Sequence, residues 1–280
     1  MKTDDRSSIR VAILDLYEGK ENQGMRGIRE ILKRFEKEND LTISLDEFDV
    51  RLKNEVPDLT YDIYISSGGP GSPLESEGTE WERVYFEWLA GVEAWNNDDA
   101  VSQKKYVFFI CHSFQLVCRH WKLANVCKRK STAFGVFPVH LLEDGKSEPV
   151  FEGMHDPFYA VDSRDYQVIE PQMNVLYKGA KILCIEKDRQ HVPFERAIMG
   201  IRFNEYFIGT QFHPEADAMG MSLHLQTEEK KKTVIENYGI EKWQSMLDHL
   251  DDPDKISWTN THILPNFLAI ATESFQTAGV

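Results

Sequence analysis

The sequence predicts an α/β fold: a three-layer, mostly parallel sheet with helices on both faces and a helical C-terminal extension. Three observations carry this expectation. Short apolar runs alternate with helix-period stretches through the first half of the chain, as in sheets covered on both sides. A glycine-rich loop and a lone cysteine each follow directly on such a run, at strand ends where ligands bind in these sheets. From about residue 216 the pattern turns helical.

The elements read in order as follows. "IRVAILDLY" is a buried strand, followed by the polar loop "EGKENQG". "MRGIREILKRFEKEN" places Met25, Ile28, Ile31, Leu32 and Phe35 on one helical face. "LTISLDEFDV" alternates as a strand does, and "YDIYISS" is a further strand running into "GGPGSP". "TEWERVYFEWLAGVEAW" is a helix, "KKYVFFI" a buried strand and "SFQLVCRHWKL" the helix after it. The middle is strand-rich, with "AFGVFPVHLL", "PFYAVD", "YQVIE", "KILCIEK", "ERAIMGIRF" and "YFIGTQFHPEAD". "EEKKKTVIENYGIEKWQSMLDHL" and "THILPNFLAIATESF" are helices, with Pro265 expected in the first turn of the second. One domain is expected over residues 1–280, with its core at about 9–217 and the extension at about 218–280. A lid, a dimer contact and a sheet cap are all compatible roles for that extension, so a homodimer stays open.

Bulk composition narrows the function. The apolar fraction of 41% is that of a chain that can bury a large core. A net charge of −14, from 46 acidic against 32 basic residues, argues against nucleic acid or anionic membrane as partner. The one basic cluster, Lys128–Arg129–Lys130, reads as a solvated loop. The N-terminal "MKTDDRSSIR" lacks the apolar core of a signal peptide, and no run is long enough to span a bilayer, so a cytoplasmic location is expected. The spacing of Cys111, Cys118, Cys127 and Cys184 fits neither a zinc site nor a disulfide framework. No metal and no cofactor is expected.

Three segments can carry chemistry. Cys111 falls where a strand turns into a helix. The free N–H groups and positive end of that helix favour a thiolate. A cysteine in an apolar run is, equally, a small packing residue. "FHPE" supplies His213 and Glu215 at a strand end, the base and orienting acid that a cysteine nucleophile needs. "SSGGPGSP" can aim backbone N–H groups at an oxyanion, or be an ordinary tight turn.

Taken together, "SGGPGSP", the strand–Cys–helix segment with Gln115 four residues on, and "GTQFHPE" resemble the class I glutamine amidotransferase superfamily over roughly residues 9–217. The resemblance implies a flavodoxin-like sheet. It implies Cys111 as nucleophile, His213 as base and Glu215 as the orienting acid. Oxyanion donors would be the N–H groups of Gly69 and His112, and Gln115 would hold the substrate's amino-acid end. Glutamine would be the small-molecule substrate, and ammonia would go to a synthetase partner chain. The elbow "FICHSFQ" departs from the family, with Phe109 and Ser113 at positions usually glycine, and Arg164 in "DSRDYQV" replaces a histidine. These departures, with "FGVFPVH", resemble the homoserine O-acyltransferase branch. There an acyl-coenzyme A would acylate Cys111 and a hydroxy amino acid would resolve the thioester. Ser163 and Arg164 would touch substrate, and Lys128, Arg129 and Lys130 are further candidates for a cofactor groove. A third reading is a site repurposed for binding, regulation or another hydrolysis.

Overall fold

Among the described residues, the apolar runs assemble into one nine-stranded mixed sheet. A computed structural model describes residues 8–20, 22–172, 179–190, 192–248, 250 and 252–277. The reading of the N-terminus falls largely on residues 1–7, outside the described residues. The strands are β1 (Ser8–Asp15), β2 (Thr42–Asp49), β3 (Ile63–Ser66), β4 (Tyr106–Ile110), β5 (Ala124–Leu141), β6 (Phe158–Pro171), β7 (Lys181–Glu186), β8 (Ile198–Arg202) and β9 (Phe207–Thr210). Their order is β2-β1-β3-β4-β9-β8-β7-β5-β6.

The sheet is more evenly mixed than the expectation of a mostly parallel one. Strands β2, β1, β3, β4 and β9 run parallel, and β8, β7, β5 and β6 continue antiparallel. The reason lies in the connections. Only residues 203–206 separate β8 from β9, and so short a link can only reverse the chain, whereas a parallel crossover needs a dozen residues or more. Two expected strands, "PFYAVD" and "YQVIE", are halves of the single strand β6. Strand β5 starts earlier than expected and is irregular between Lys128 and Ala133. The basic cluster is therefore part of a strand, and Arg129 is buried.

Helices cover both faces. Helix α1 (Gln23–Glu38) starts at Asn22, whose side chain accepts the Met25 N–H, and buries Met25, Ile28, Ile31, Leu32 and Phe35 as its periodicity requires. The one-turn α2 (Val50–Lys53) follows β2, and α3 (Glu80–Asn97) follows β3. Helix α4 (His112–His120) follows β4 directly. Beyond β9 come α5 (Ala218–Gln226), α6 (Glu228–Tyr238), α7 (Ile240–Asp248) and α8 (Trp258–Thr277). Gly239, at φ +86, splits the expected long helix into α6 and α7.

Core residues among those described fall into three clusters. One joins β-sheet residues to α1 and α8 and includes Phe108, Ile110, Ile263 and Phe267. The second lies on α3 and α4 and includes Phe109, Tyr85 and Phe114. The third lies where α5, α6 and α7 meet Phe134 and Val161. Helix α8 thus packs into the same core as α1. It also starts earlier than "THILP" suggests, which places Pro265 inside the helix and not in its first turn. Tertiary bonds hold those early turns: Trp258 Nε1 donates to Gly153 O (3.1 Å) and Thr259 Oγ1 to Tyr159 O (2.6 Å).

Candidate active site

Strand order explains why separated motifs meet. β4 lies between β3 and β9, so the loops leaving β3 and β9 flank the residue that follows β4. That residue is Cys111. Its backbone is at φ +48, ψ −94, a strained conformation for a residue with a side chain. The surroundings hold it there. Cys111 N–H donates to Thr210 O on β9 (2.8 Å), and its carbonyl accepts the Gln115 N–H (3.0 Å). Ser113 Oγ accepts the Ile110 N–H (2.8 Å) and donates to Ser66 O at the end of β3 (2.8 Å).

His213 follows β9. Its N–H donates to Val161 O of β6 (2.9 Å), and its Nδ1 lies 2.8 Å from Glu215 Oε1. The ring lies close enough to Cys111 for the charge of the sulfur to act on it. Burial opposes protonation of this imidazole. Glu215 and Cys111 outweigh burial, and His213 is held well above the ordinary histidine range. Glu215 is 1% exposed, and its Oε2 has no hydrogen-bond partner. Two glycines of α1 let this residue approach: a Cβ on Gly27 would stand 2.2 Å from its backbone O, and one on Gly24 3.1 Å from its carboxylate Oε1.

The glycine loop closes the other side. A Cβ on Gly68 would stand 2.9 Å from His213 Cε1, and one on Gly69 2.5 Å from Leu16 O. Gly68 is therefore the glycine against the imidazole, and Gly69 packs on the end of β1. His112 opens α4, where the first N–H groups have no intrahelical partner. Its imidazole is buried with Nε2 unpartnered, and burial, reinforced by Arg51 and Arg119, pushes it down to about 3, so it is neutral.

The structure brings together a strained cysteine, an imidazole and a carboxylate. A family model described as glutamine amidotransferase class-I matches residues 25–227, most of the chain. This protein belongs to that family. No curated protein matches it by sequence. Among solved structures, a glutamine amidotransferase from Thermotoga maritima superimposes with a TM-score of 0.66 at 17% identity, covering 95% of this chain and 98% of that one. A glutamine amidotransferase from Methylobacillus flagellatus gives 0.57 at 13% identity, covering 94% of each chain. The glutaminase domain of Trypanosoma brucei CTPS, with bound acivicin, gives 0.56 at 14% identity, covering 95% and 94%. At such identities these likenesses speak for the fold. No helix among the described residues is long and apolar enough to cross a membrane. Among the same residues, no group of three or more His, Cys, Asp or Glu side chains could hold a metal.

The departures from the amidotransferase pattern have local explanations. Phe109 does not crowd the cysteine. It packs with Trp121, Phe203 and Phe207 in the second core cluster, where Gly209 of β9 leaves the room. Ser113 ties the elbow to β3. Arg164 is not a free cation at the site: its side chain is 1% exposed and bonds Asp162, Glu186 and Tyr166 O. Arg129 joins the same buried group through Glu186 and Gln167. Both arginines are thus tied to partners inside the protein, and of the expected cationic groove only Lys128 and Lys130 are exposed. Ser163 reaches the site by its backbone, with Cys111 Sγ 3.9 Å from its carbonyl. Gln115 is buried, and its amide N–H groups go to Tyr166 O and Gln211 Oε1.

Two site residues were missed in the sequence. Tyr17 lies just beyond β1, with its hydroxyl against Gly24 and Gly68. Burial, then Glu215, Cys111 and Asp15, push its phenol well above the ordinary range, so it remains a neutral donor. Its position at a strand end was the available signal. Gln211, inside "GTQFHPE", has its Nε2 3.7 Å from Cys111 Sγ.

Proposed function

We propose that the protein hydrolyses the side-chain amide of glutamine and supplies the ammonia to an acceptor on a partner chain. The carrying observation is the strained Cys111 beside an imidazole that is itself bonded to a buried carboxylate. That arrangement suits a thiolate–imidazolium pair, the state in which a cysteine attacks a carbonyl.

The steps follow from the positions. Sγ of Cys111 attacks the amide carbon, and the carbonyl oxygen becomes an oxyanion. The N–H groups of His112 and of the Gly68–Gly69 loop stabilise it. His213 gives its proton to the leaving nitrogen, and the C–N bond breaks to release ammonia and leave a γ-glutamyl thioester. A water then attacks the thioester while His213 takes its proton. The thiolate leaves, and glutamate departs. Glu215 orients the imidazole and stabilises its charged form throughout. Glutamine and water thus become glutamate and ammonia.

All the described strands belong to one sheet, so no second unit among the described residues receives the ammonia. A synthetase partner would hold the acceptor. The acyltransferase reading is less well supported, because Arg129 and Arg164 are tied up in buried ion pairs. The test is ammonia release from L-glutamine by the purified chain, with Cys111→Ala as control. Release that needs Cys111 supports the proposal. Equal release by both proteins would overturn it.

A further inference from the structure

A line of buried amides runs from a backbone carbonyl to the reactive sulfur. It begins at Tyr166 O on β6. Gln115 Nε2 donates to that carbonyl (3.2 Å) and to Gln211 Oε1 (3.1 Å). Gln211 Nε2 then donates to Cys111 Sγ (3.7 Å). Both glutamines are buried, Gln211 completely.

The direction of this line is fixed by chemistry. A backbone carbonyl can only accept, so Gln115 must turn its NH2 toward Tyr166. The same NH2 meets Gln211, which must answer with its oxygen. The Gln211 NH2 is then left facing the sulfur. A reversed Gln211 would set its oxygen against Sγ.

We propose that Gln211 is a catalytic residue that donates a hydrogen bond to the Cys111 thiolate, and that Gln115 is the positioning residue that sets its polarity. This rests on Cys111 as the nucleophile, and on nothing about its substrate. The neighbours of Sγ pull in opposite directions. The Ser163 carbonyl can accept only from the protonated thiol, whereas the Gln211 N–H favours the thiolate. Among the described residues, His213 and Tyr17 are titratable groups that feel the charge of the sulfur. His213 alone can balance its charge. Gln211 adds a neutral donor that does not titrate, and that holds through the cycle while His213 gives and takes its proton. Both N–H groups of Gln115 are thus engaged within the protein, and its Oε1 is the atom that could still meet substrate.

The test reads the thiol and needs no turnover, so its failure is separable from failure of the glutaminase reading. Alkylation of Cys111 by iodoacetamide is followed by peptide mass spectrometry across pH. The set is the unaltered protein, Gln115→Met, Gln211→Met and the double variant. Methionine keeps the volume and loses the polarity. Gln211→Met should move the profile upward by about one pH unit, a roughly tenfold loss of rate at neutral pH. Gln115→Met should move it the same way and less. The double variant should match Gln211→Met alone, because Gln115 acts through Gln211. Profiles that overlay the unaltered protein in folded variants would overturn the proposal, as would a double variant showing the sum of both single effects.

Discussion

The two halves of the sheet contain different kinds of chemistry. The parallel half, β2-β1-β3-β4-β9, has a buried apolar centre in β1, β3, β4 and β9 and is reactive at its strand ends. Tyr17, Gly68, Cys111 and His213 all follow closely on its strands. The antiparallel half carries charge within its strands. Asp162 and Arg164 on β6, Arg129 on β5 and Glu186 on β7 form one buried ion-pair group. Burial alone would raise the Glu186 carboxyl, but Arg164 and Arg129 outweigh it and hold it below the ordinary range. The first half makes the site. The second fixes the strand whose Val161 and Ser163 backbones touch that site. Function and stability should therefore separate along this line.

The strongest effect should fall on the parallel half. Cys111→Ala should abolish ammonia release while leaving the melting temperature equal to or above that of the unaltered protein. A positive φ tolerates alanine no worse than cysteine, so the substitution removes chemistry without adding strain. Calorimetry beside the ammonia assay checks both parts. In the antiparallel half the balance reverses. Arg164→Ala leaves Asp162 buried without its arginine, while Glu186 keeps Arg129 and Arg189, and should cost about 3–5 kcal/mol in urea unfolding. A loss below ~1 kcal/mol would mean that the group does not brace β6.

A smaller effect lies at the junction between strands. Ser113→Gly restores the residue usual in the family, but it leaves the Ile110 N–H and Ser66 O without that partner. It should retain ammonia release and lose about 1–3 kcal/mol of stability. Loss of turnover in a stable variant would show that the hydroxyl serves the chemistry instead.

The last effect depends on pH. His112 is pushed from the ordinary histidine value of 6.5 to about 3 by burial, then by Arg51 and Arg119. Below pH 6.5 the unfolded chain binds a proton there that the folded chain refuses. Its contribution to stability is therefore complete above that value and falls as pH drops toward about 3. His112→Gln should flatten this part of the melting curve. An unchanged slope would assign the acid sensitivity to other groups.

The same division decided what could be read from the sequence. Strands β1, β3 and β4 are continuous apolar runs, and the helices beside them have clear periodicity, so the α/β class was legible. Cys111 and His213 stood out because cysteine and histidine are sparse and each follows a strand, and Glu215 because it lies two residues after His213 in "FHPE". Arg164 misled, since a charge on a strand looks exposed until its partner is known. Glu186 lies 22 residues away, on another strand. Lys128–Arg129–Lys130 misled for the same reason. Tyr17 and Gln211 were invisible because tyrosine and glutamine carry no signal of their own. Only the meeting of β1, β4 and β9 shows what they touch. The extent of α8 was hidden as well, because its first turns are held by Gly153 and Tyr159, far away in sequence.

Trapping the acyl-enzyme bears on all of this at once. The protein is mixed with L-glutamine, quenched in acid within the first turnover, digested and examined by mass spectrometry. A γ-glutamyl thioester is expected on the peptide containing Cys111, and it should not form in His213→Gln, which lacks both the counter-charge of the thiolate and the proton donor for the leaving nitrogen. A modified residue other than Cys111, or ammonia release with no acyl-enzyme on any peptide, would contradict the role given to this cysteine.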